Sequence, residues 1–351
     1  MENEIKLDEM KLLINKPTDV SIEQLPPPKG VSEKVIKTMQ GDMVDNNLYG
    51  YEELANRIMS MPDIEKIPLC IPELDELLDG GIQEGELMIL SSPTKNGKTT
   101  LSQTMTFMQG LKKIPTVWFT LEMSWQELTR KFMDMEEESK DKFSNVPIFY
   151  TIDNRALSLK WLRSQIIEAK KKHGAKMVYI DHLHFLVPLG DSKSNVSFLV
   201  GGIIRELKRL AVELKIPILL IAHTKKLEVD KIPDINSMRD SSFIAQESDF
   251  TLILWRERFK KTRKNVDILE NESVYTDRTI LSLEANRRNG KTKRMALGMI
   301  DGMLRPYEEY IKRKMAKQGE ELKGNMDKGD DRLLDVKDTL DGKSKWDEHL
   351  T

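Results

Sequence analysis

The densest run of chemistry-bearing residues is Ser91-Ser92-Pro93-Thr94-Lys95-Asn96-Gly97-Lys98-Thr99-Thr100. It follows the apolar stretch Glu86-Leu87-Met88-Ile89-Leu90 and opens a helical pattern. A loop so placed surrounds an anion with backbone N–H groups, and the dipole of the helix behind it favours negative charge. Ser92, Pro93, Thr94, Lys95, Asn96, Gly97, Lys98, Thr99 and Thr100 are therefore the expected cradle for the phosphates of ATP or another nucleoside triphosphate. Lys98 is expected to set a point charge on the β- and γ-phosphates, and the Thr99 hydroxyl to ligate Mg²⁺. Ser92 stands where the strict pattern has glycine, and a small residue still fits. The structural alternative is an ordinary strand–turn–helix joint that spells Gly-Lys-Thr.

Three further apolar runs end in polar side chains. Met177-Val178-Tyr179-Ile180 delivers Asp181, and a carboxylate at the carboxyl end of a central parallel strand sits where Mg²⁺ beside a phosphate site is held through water. Thr116-Val117-Trp118-Phe119-Thr120 leads to Leu121-Glu122-Met123-Ser124. Glu122 is a general-base candidate for polarising the attacking water, while Ser124, with Glu127 three residues on, reads as a helix cap. Ile218-Leu219-Leu220-Ile221-Ala222 delivers His223 and Thr224. A polar group there suits contact with the γ-phosphate, although a lone histidine is more often structural.

The elements that must position these residues alternate. Short apolar runs at Leu87–Leu90, Thr116–Thr120, Met177–Ile180 and Ile218–Ala222 suit buried parallel strands. Helical patterns at Thr99–Lys113, Trp125–Met135, Leu159–His173 and Ile203–Leu214 separate them. That order predicts βαβ units in an α/β fold with a mostly parallel sheet flanked by helices, the frame that a P-loop NTPase core requires. Strand-like runs at Thr251–Trp255, Thr279–Leu283 and Arg294–Ile300 follow with no long helix between them, as a partly antiparallel edge.

Residues 1–66 are polar, broken by Pro26-Pro27-Pro28, with a possible helix at Tyr51–Met59, and read as an extension or docking arm. Residues 67–312 form the expected ATPase domain, and 313–351, charged and with little apolar periodicity, the expected flexible tail. The 351 residues are 39% hydrophobic and 32% charged, with a formal net charge of -2, which argues against a wholly basic coat. A single cysteine, Cys70, excludes an internal disulfide framework and a cysteine zinc cluster. No apolar run is long enough to span a bilayer, so no membrane partner and a cytoplasmic site of action, host cytoplasm included, are expected.

Taken together, these residues resemble the C-terminal motor domain of DnaB-family replicative helicases and the related phage and mitochondrial ring helicases. The resemblance runs from about Ile67 to Glu308. It begins with Leu74-Asp75 and Gly80-Gly81, and continues through the P-loop, Leu121-Glu122-Met123-Ser124, Ile180-Asp181-His182-Leu183, and the helix Arg205–Ala211. At the fourth strand end the DnaB proteins usually carry Gln, and His223 is closer to the phage and mitochondrial members. Ser237–Asp249 resembles the loop that lines the family's central channel, which implies contact of Arg239, Asp240, Ser241 and Ser242 with single-stranded DNA; short polar residues and one arginine let a loop follow a backbone without reading bases. Asn286-Arg287-Arg288-Asn289-Gly290 resembles the arginine-finger segment, which implies that Arg288 reaches a neighbour's γ-phosphate. The family's lysine two residues earlier is Asn286 here, with Arg287 a possible substitute. A surface helix cap and a basic β-turn are the structural alternatives for these two segments.

The resemblance implies a RecA-like P-loop NTPase core in a ring-shaped, NTP-dependent replicative DNA helicase, a hexamer translocating 5′-to-3′ on single-stranded DNA at a replication fork, with primase, loader or polymerase as further partners. Two other classes stay open on sequence alone: a DNA-stimulated RecA-like ATPase acting as a recombination mediator or loader, and a regulatory P-loop protein.

Overall fold

The computed structural model describes residues 49–142, 148–150, 158–182, 196–224, 232–238, 246–262 and 271–326. Chain contacts divide it into two units, Met1–Asp63 and Ile64–Thr351. The described part of the first, residues 49–63, contains helix α1 (Tyr51–Ser60), none of whose residues is buried. Its expected apolar residues Leu54, Ile58 and Met59 are all exposed. An Arg57–Glu53 pair one turn apart adds only a few tenths of a kcal/mol, about what such surface pairs contribute.

The second unit opens with β1 (Lys66–Ile67), α2 (Pro72–Leu77) and β2 (Ile82–Gln83). The predicted alternation follows: β3 (Leu87–Ser92), α3 (Lys98–Leu111), β4 (Thr116–Thr120), α4 (Trp125–Ser139), β5 (Ile148–Tyr150), α5 (Leu159–His173), β6 (Met177–Asp181), α6 (Val196–Leu214) and β7 (Ile218–His223). Last come β8 (Phe250–Thr262), β9 (Asn271–Asn286), β10 (Lys293–Ile300), β11 (Met303–Pro306) and α7 (Tyr307–Met326). β1 and β2 pair with each other, and the other strands form one nine-stranded sheet in the order β11-β10-β9-β8-β3-β7-β6-β4-β5. From β8 to β5 every pairing is parallel; from β8 to β11 every pairing is antiparallel.

The parallel strands read as unbroken apolar runs because both their faces are covered. Met88, Leu90, Trp118 and Tyr179 point to the face carrying α3 and α4, where they meet Leu101, Met105, Leu128 and Phe132. Leu87, Ile89, Val117 and Phe119 point to the other, packing with Leu162 and Ile166 of α5 and Ile204 and Leu207 of α6. One chain of polar groups on the first face is matched: Trp118 Nε1 donates to Thr106 Oγ1 at 2.9 Å, Tyr179 Oη to Gln109 Oε1 at 2.8 Å, and Gln109 Nε2 to the Pro68 carbonyl at 2.8 Å. With Trp118 stacked on Tyr179 at 5.1 Å, this network fixes β4, β6 and α3 against one another.

Three features depart from the sequence expectations. β8 and β9 extend well past the apolar runs Thr251–Trp255 and Thr279–Leu283. The extra length is a ribbon in which the guanidinium groups of Arg256 and Arg258 lie 4.6 and 4.2 Å from the Tyr275 ring, pairs that support a ladder without apolar alternation. β5 adds a short parallel strand beyond β4. The chain expected to be a tail from Arg313 is helical as far as Met326. Its hold lies near its start, where Tyr310 covers Gly298 so closely that a β-carbon there would sit 2.5 Å from the ring. The Tyr310 hydroxyl and Lys314 Nζ also reach Asp277 at 2.8 and 3.0 Å. No helix among the described residues is long and apolar enough to cross a membrane.

Candidate nucleotide-binding active site

Four parallel strands, β3, β4, β6 and β7, end at one edge of the sheet, and Lys98, Thr99, Glu122, Asp181 and His223 arrive there from them or just beyond. After β3 the backbone turns through left-handed Lys95 (φ 63°) and Gly97 (φ 96°), and Gly97 caps α3. A side chain at Gly97 would have ordinary room, 3.5 Å to Leu304; the positive φ is what selects glycine. Asn96 locks the loop from inside, its Oδ1 accepting from the Arg256 amide at 2.8 Å and its Nδ2 donating to the Thr94 carbonyl at 3.0 Å. Ser92 is wholly buried, lies outside the left-handed region, and donates its hydroxyl to the Pro93 carbonyl at 2.8 Å. Serine can therefore replace glycine here without backbone strain.

Thr99, in the first turn of α3, donates its hydroxyl to Asp181 Oδ2 at 3.0 Å. Asp181 Oδ1 is buried with no hydrogen-bond partner among the described residues. Burial pushes the Asp181 carboxyl up to about 6, against the Thr99 hydrogen bond, with the Glu122 charge raising it further and Lys98 lowering it. The Lys98 amine is also buried, and desolvation holds it below the ordinary lysine range despite the Asp181 and Glu122 carboxylates. A desolvated ammonium beside an orphaned carboxylate oxygen and a hydroxyl suits an anion together with a hard cation. These residues fit Mg²⁺ and a polyphosphate.

Glu122 is brought to this edge by the Asp181 carbonyl, which accepts from the amides of Leu121 at 2.6 Å and Glu122 at 3.2 Å. Its carboxylate is half exposed, with Oε2 3.7 Å from His182 Nε2 and 3.9 Å from His223 Nε2. Ser124 caps α4 as expected, accepting from the Glu127 amide at 3.2 Å. His182 has no role among the sequence expectations. The signal was available, since it directly follows the strand-end Asp181 and β6 neighbours β7.

Arg288 lies at the opposite sheet edge. β9 returns antiparallel to β8, so its terminal Asn286 pairs with Phe250 near the start of the parallel strands. The Arg288 guanidinium is held inside its own chain: Nη2 meets Glu86 Oε2 at 2.7 Å and Oε1 at 2.8 Å, Nη1 reaches the Leu78 carbonyl, and both reach the Gly81 carbonyl at 3.1 and 3.2 Å. In the single chain a part-buried carboxylate and two carbonyls satisfy the Arg288 donors locally, in place of the expected outward reach. Arg287 beside it is exposed. Arg239, Asp240, Ser241 and Ser242, expected to contact DNA, lie outside the described residues.

Among the five core strands that bear or neighbour the site, the order β8-β3-β7-β6-β4 sets β7 between the P-loop strand and the strand ending in Asp181. Fold and site together define a P-loop NTPase core of the RecA-like type. Residues 130–306 match the family described as DnaB-like helicase C terminal domain, and the chain belongs to that family. The matched stretch carries Asp181, His223 and Arg288 and begins after the P-loop, whose assignment rests on its geometry. The chain is 26% identical over 216 residues to the replicative DNA helicase DnaB of Leifsonia xyli subsp. xyli, covering 54% of this chain and 47% of that protein. It is 26% identical over 286 residues to the replicative DNA helicase DnaC of Bacillus subtilis, covering 74% and 59%. It spans about half the length of the curated relatives it matches. Similar solved structures are a DnaB-like replicative helicase studied with primase (TM-score 0.58, 18% identity, 78% and 70% of the two chains) and a separate ATPase domain (TM-score 0.57, 18% identity, 80% and 99%).

Proposed function

We propose that this chain is the motor of a ring-shaped, NTP-dependent replicative DNA helicase that translocates on single-stranded DNA, 5′-to-3′, as a hexamer. The observation that carries the reading is the Thr99–Asp181 hydrogen bond beside buried Lys98, with Glu122 at the same sheet edge. In this reading the Ser92–Thr100 loop wraps the phosphates of ATP or a related triphosphate, and Lys98 stays charged against them. Thr99 and Asp181 would hold Mg²⁺, which would supply neutralisation of phosphate charge. Glu122 accepts the proton of the attacking water, and its exposed carboxylate is open to that water. His223, two strands from β4 and in register with Ser92, contacts the γ-phosphate.

The cation supplied across the subunit interface comes from the Arg287-Arg288 turn, with Arg287 its exposed member and Arg288 anchoring the turn. The Arg239–Ser242 segment tracks the DNA backbone. Helix α1, which buries none of its apolar residues within the described chain, docks on an adjacent subunit. Primase, loader or polymerase are partners at the fork, and the protein acts in the cytoplasm. The test is MgATP hydrolysis with and without single-stranded DNA, unwinding of a fork with a 5′ tail, and mass with and without nucleotide. DNA-stimulated hydrolysis without unwinding would make it a mediator or loader instead.

A further inference from the structure

Three side chains at the ends of β4, β6 and β7 carry ligand atoms that the nucleotide roles do not use together. Glu122 Oε2 lies 3.7 Å from His182 Nε2 and 3.9 Å from His223 Nε2. One ligand atom from each of the three falls within 4.8 Å of the others. The two imidazoles meet edge to face with centroids 4.3 Å apart. His182 is buried and Glu122 exposed, so the cluster is backed by protein and open on the carboxylate side.

Two imidazoles and a carboxylate are the donor set of a borderline transition metal, and Zn²⁺ is held by such a set in hydrolytic enzymes. Bonds of about 2.0–2.2 Å in a tetrahedron put donors about 3.3 Å apart. The two Glu122–His separations exceed that by about half an ångström, within reach of rotation of the exposed Glu122 side chain. Thr99 and Asp181 offer only oxygens, which suits a hard ion. The two ligand sets adjoin at residues 181 and 182 and differ in chemistry.

We propose that Glu122, His182 and His223 form a binding site for a zinc-class divalent cation, separate from the Mg²⁺ position at Thr99 and Asp181. Three protein ligands leave a position open to water or an anion. A carboxylate bound to such a cation no longer accepts a proton, so occupancy stops nucleotide hydrolysis. That consequence rests on the ATPase reading; the binding itself does not.

Co²⁺, whose visible spectrum reports coordination, is the probe, titrated into the full chain without nucleotide. The expected result is a visible band that saturates at one ion per chain and is removed by Zn²⁺. Glu122→Gln and His223→Gln each weaken binding by about ten-fold or more, while Thr99→Ala leaves it unchanged; circular dichroism checks that each variant is folded. The proposal is overturned by folded wild-type protein that gives no band, by a band indifferent to both substitutions, or by a thiolate band lost in Cys70→Ser. MgATP turnover of the same preparation without Co²⁺ separates this inference from the functional one. Cobalt binding without turnover supports the site and removes the hydrolysis reading, and turnover without cobalt binding does the reverse.

Discussion

Replacing Arg288 with alanine distinguishes an anchor from a finger. The Arg288 and Glu86 side chains are only 18% and 15% exposed and meet through two nitrogen–oxygen contacts under 3 Å. Removing one partner of a buried, hydrogen-bonded pair costs about 3–5 kcal/mol, because the other charge stays buried alone. Residual solvent access here favours the lower end, about 3 kcal/mol. At about 2–4 °C per kcal/mol for a domain of this size, the melting temperature should fall by about 6–12 °C. Glu86→Ala should cause a similar fall, and the double variant should lose much less than the two falls combined, the mark of a direct interaction. Arg287→Ala should melt within about 0.5 kcal/mol of wild type, as exposed substitutions do. It should nonetheless lose turnover by about 10³-fold if that arginine serves the neighbouring subunit. If Arg288→Ala melts like wild type and alone abolishes turnover, the anchor assignment is refuted and the outward reach restored.

In protein free of nucleotide and divalent ions, Asp181→Asn should raise stability at pH 8 by about 2–3 kcal/mol, the linkage value for a carboxyl raised from about 4 to about 6. The folded pKa, about 6, lies above the unfolded one. The stability it contributes is therefore present below about pH 4 and lost as pH rises through 6, so the gain from Asn should shrink between pH 8 and pH 5 in paired thermal melts. Lys98→Met should abolish the MgATP-induced rise in melting temperature without lowering the melting temperature of the free protein, since the amine is already desolvated. Tyr179→Phe should cost about 1–2 kcal/mol in urea denaturation by leaving Gln109 Oε1 without its donor.

The parallel half of the sheet was legible in the sequence because strands covered on both faces must be apolar throughout, as Leu87–Leu90 and Ile218–Ala222 are. Their polar ends then mark the site edge, which is why Glu122, Asp181 and His223 were readable from position, and Lys98 and Thr99 from the loop pattern that follows β3. The β8–β9 ribbon was not legible beyond its apolar part, since Arg256, Arg258 and Tyr275 pair through charge and ring faces that leave no period in hydrophobicity. Helix α7 was hidden for a related reason: its docking is concentrated at Tyr307 and Tyr310, and Lys312–Gln318 are exposed. Arg288 shows the other limit. A basic turn reads the same whether its guanidinium points outward or folds back, and the deciding partner, Glu86, is some two hundred residues away.

The central claim is that Lys98, Thr99, Asp181 and Glu122 hydrolyse a nucleoside triphosphate. Steady-state phosphate release from MgATP by wild type and by Glu122→Gln, with nucleotide-induced thermal shifts on the same samples, tests it most directly. Wild type should turn over, Glu122→Gln should lose about 10²-fold or more of that rate, and both should show an equal thermal shift. Equal turnover in the two proteins, or no nucleotide-induced shift in either, would contradict the claim.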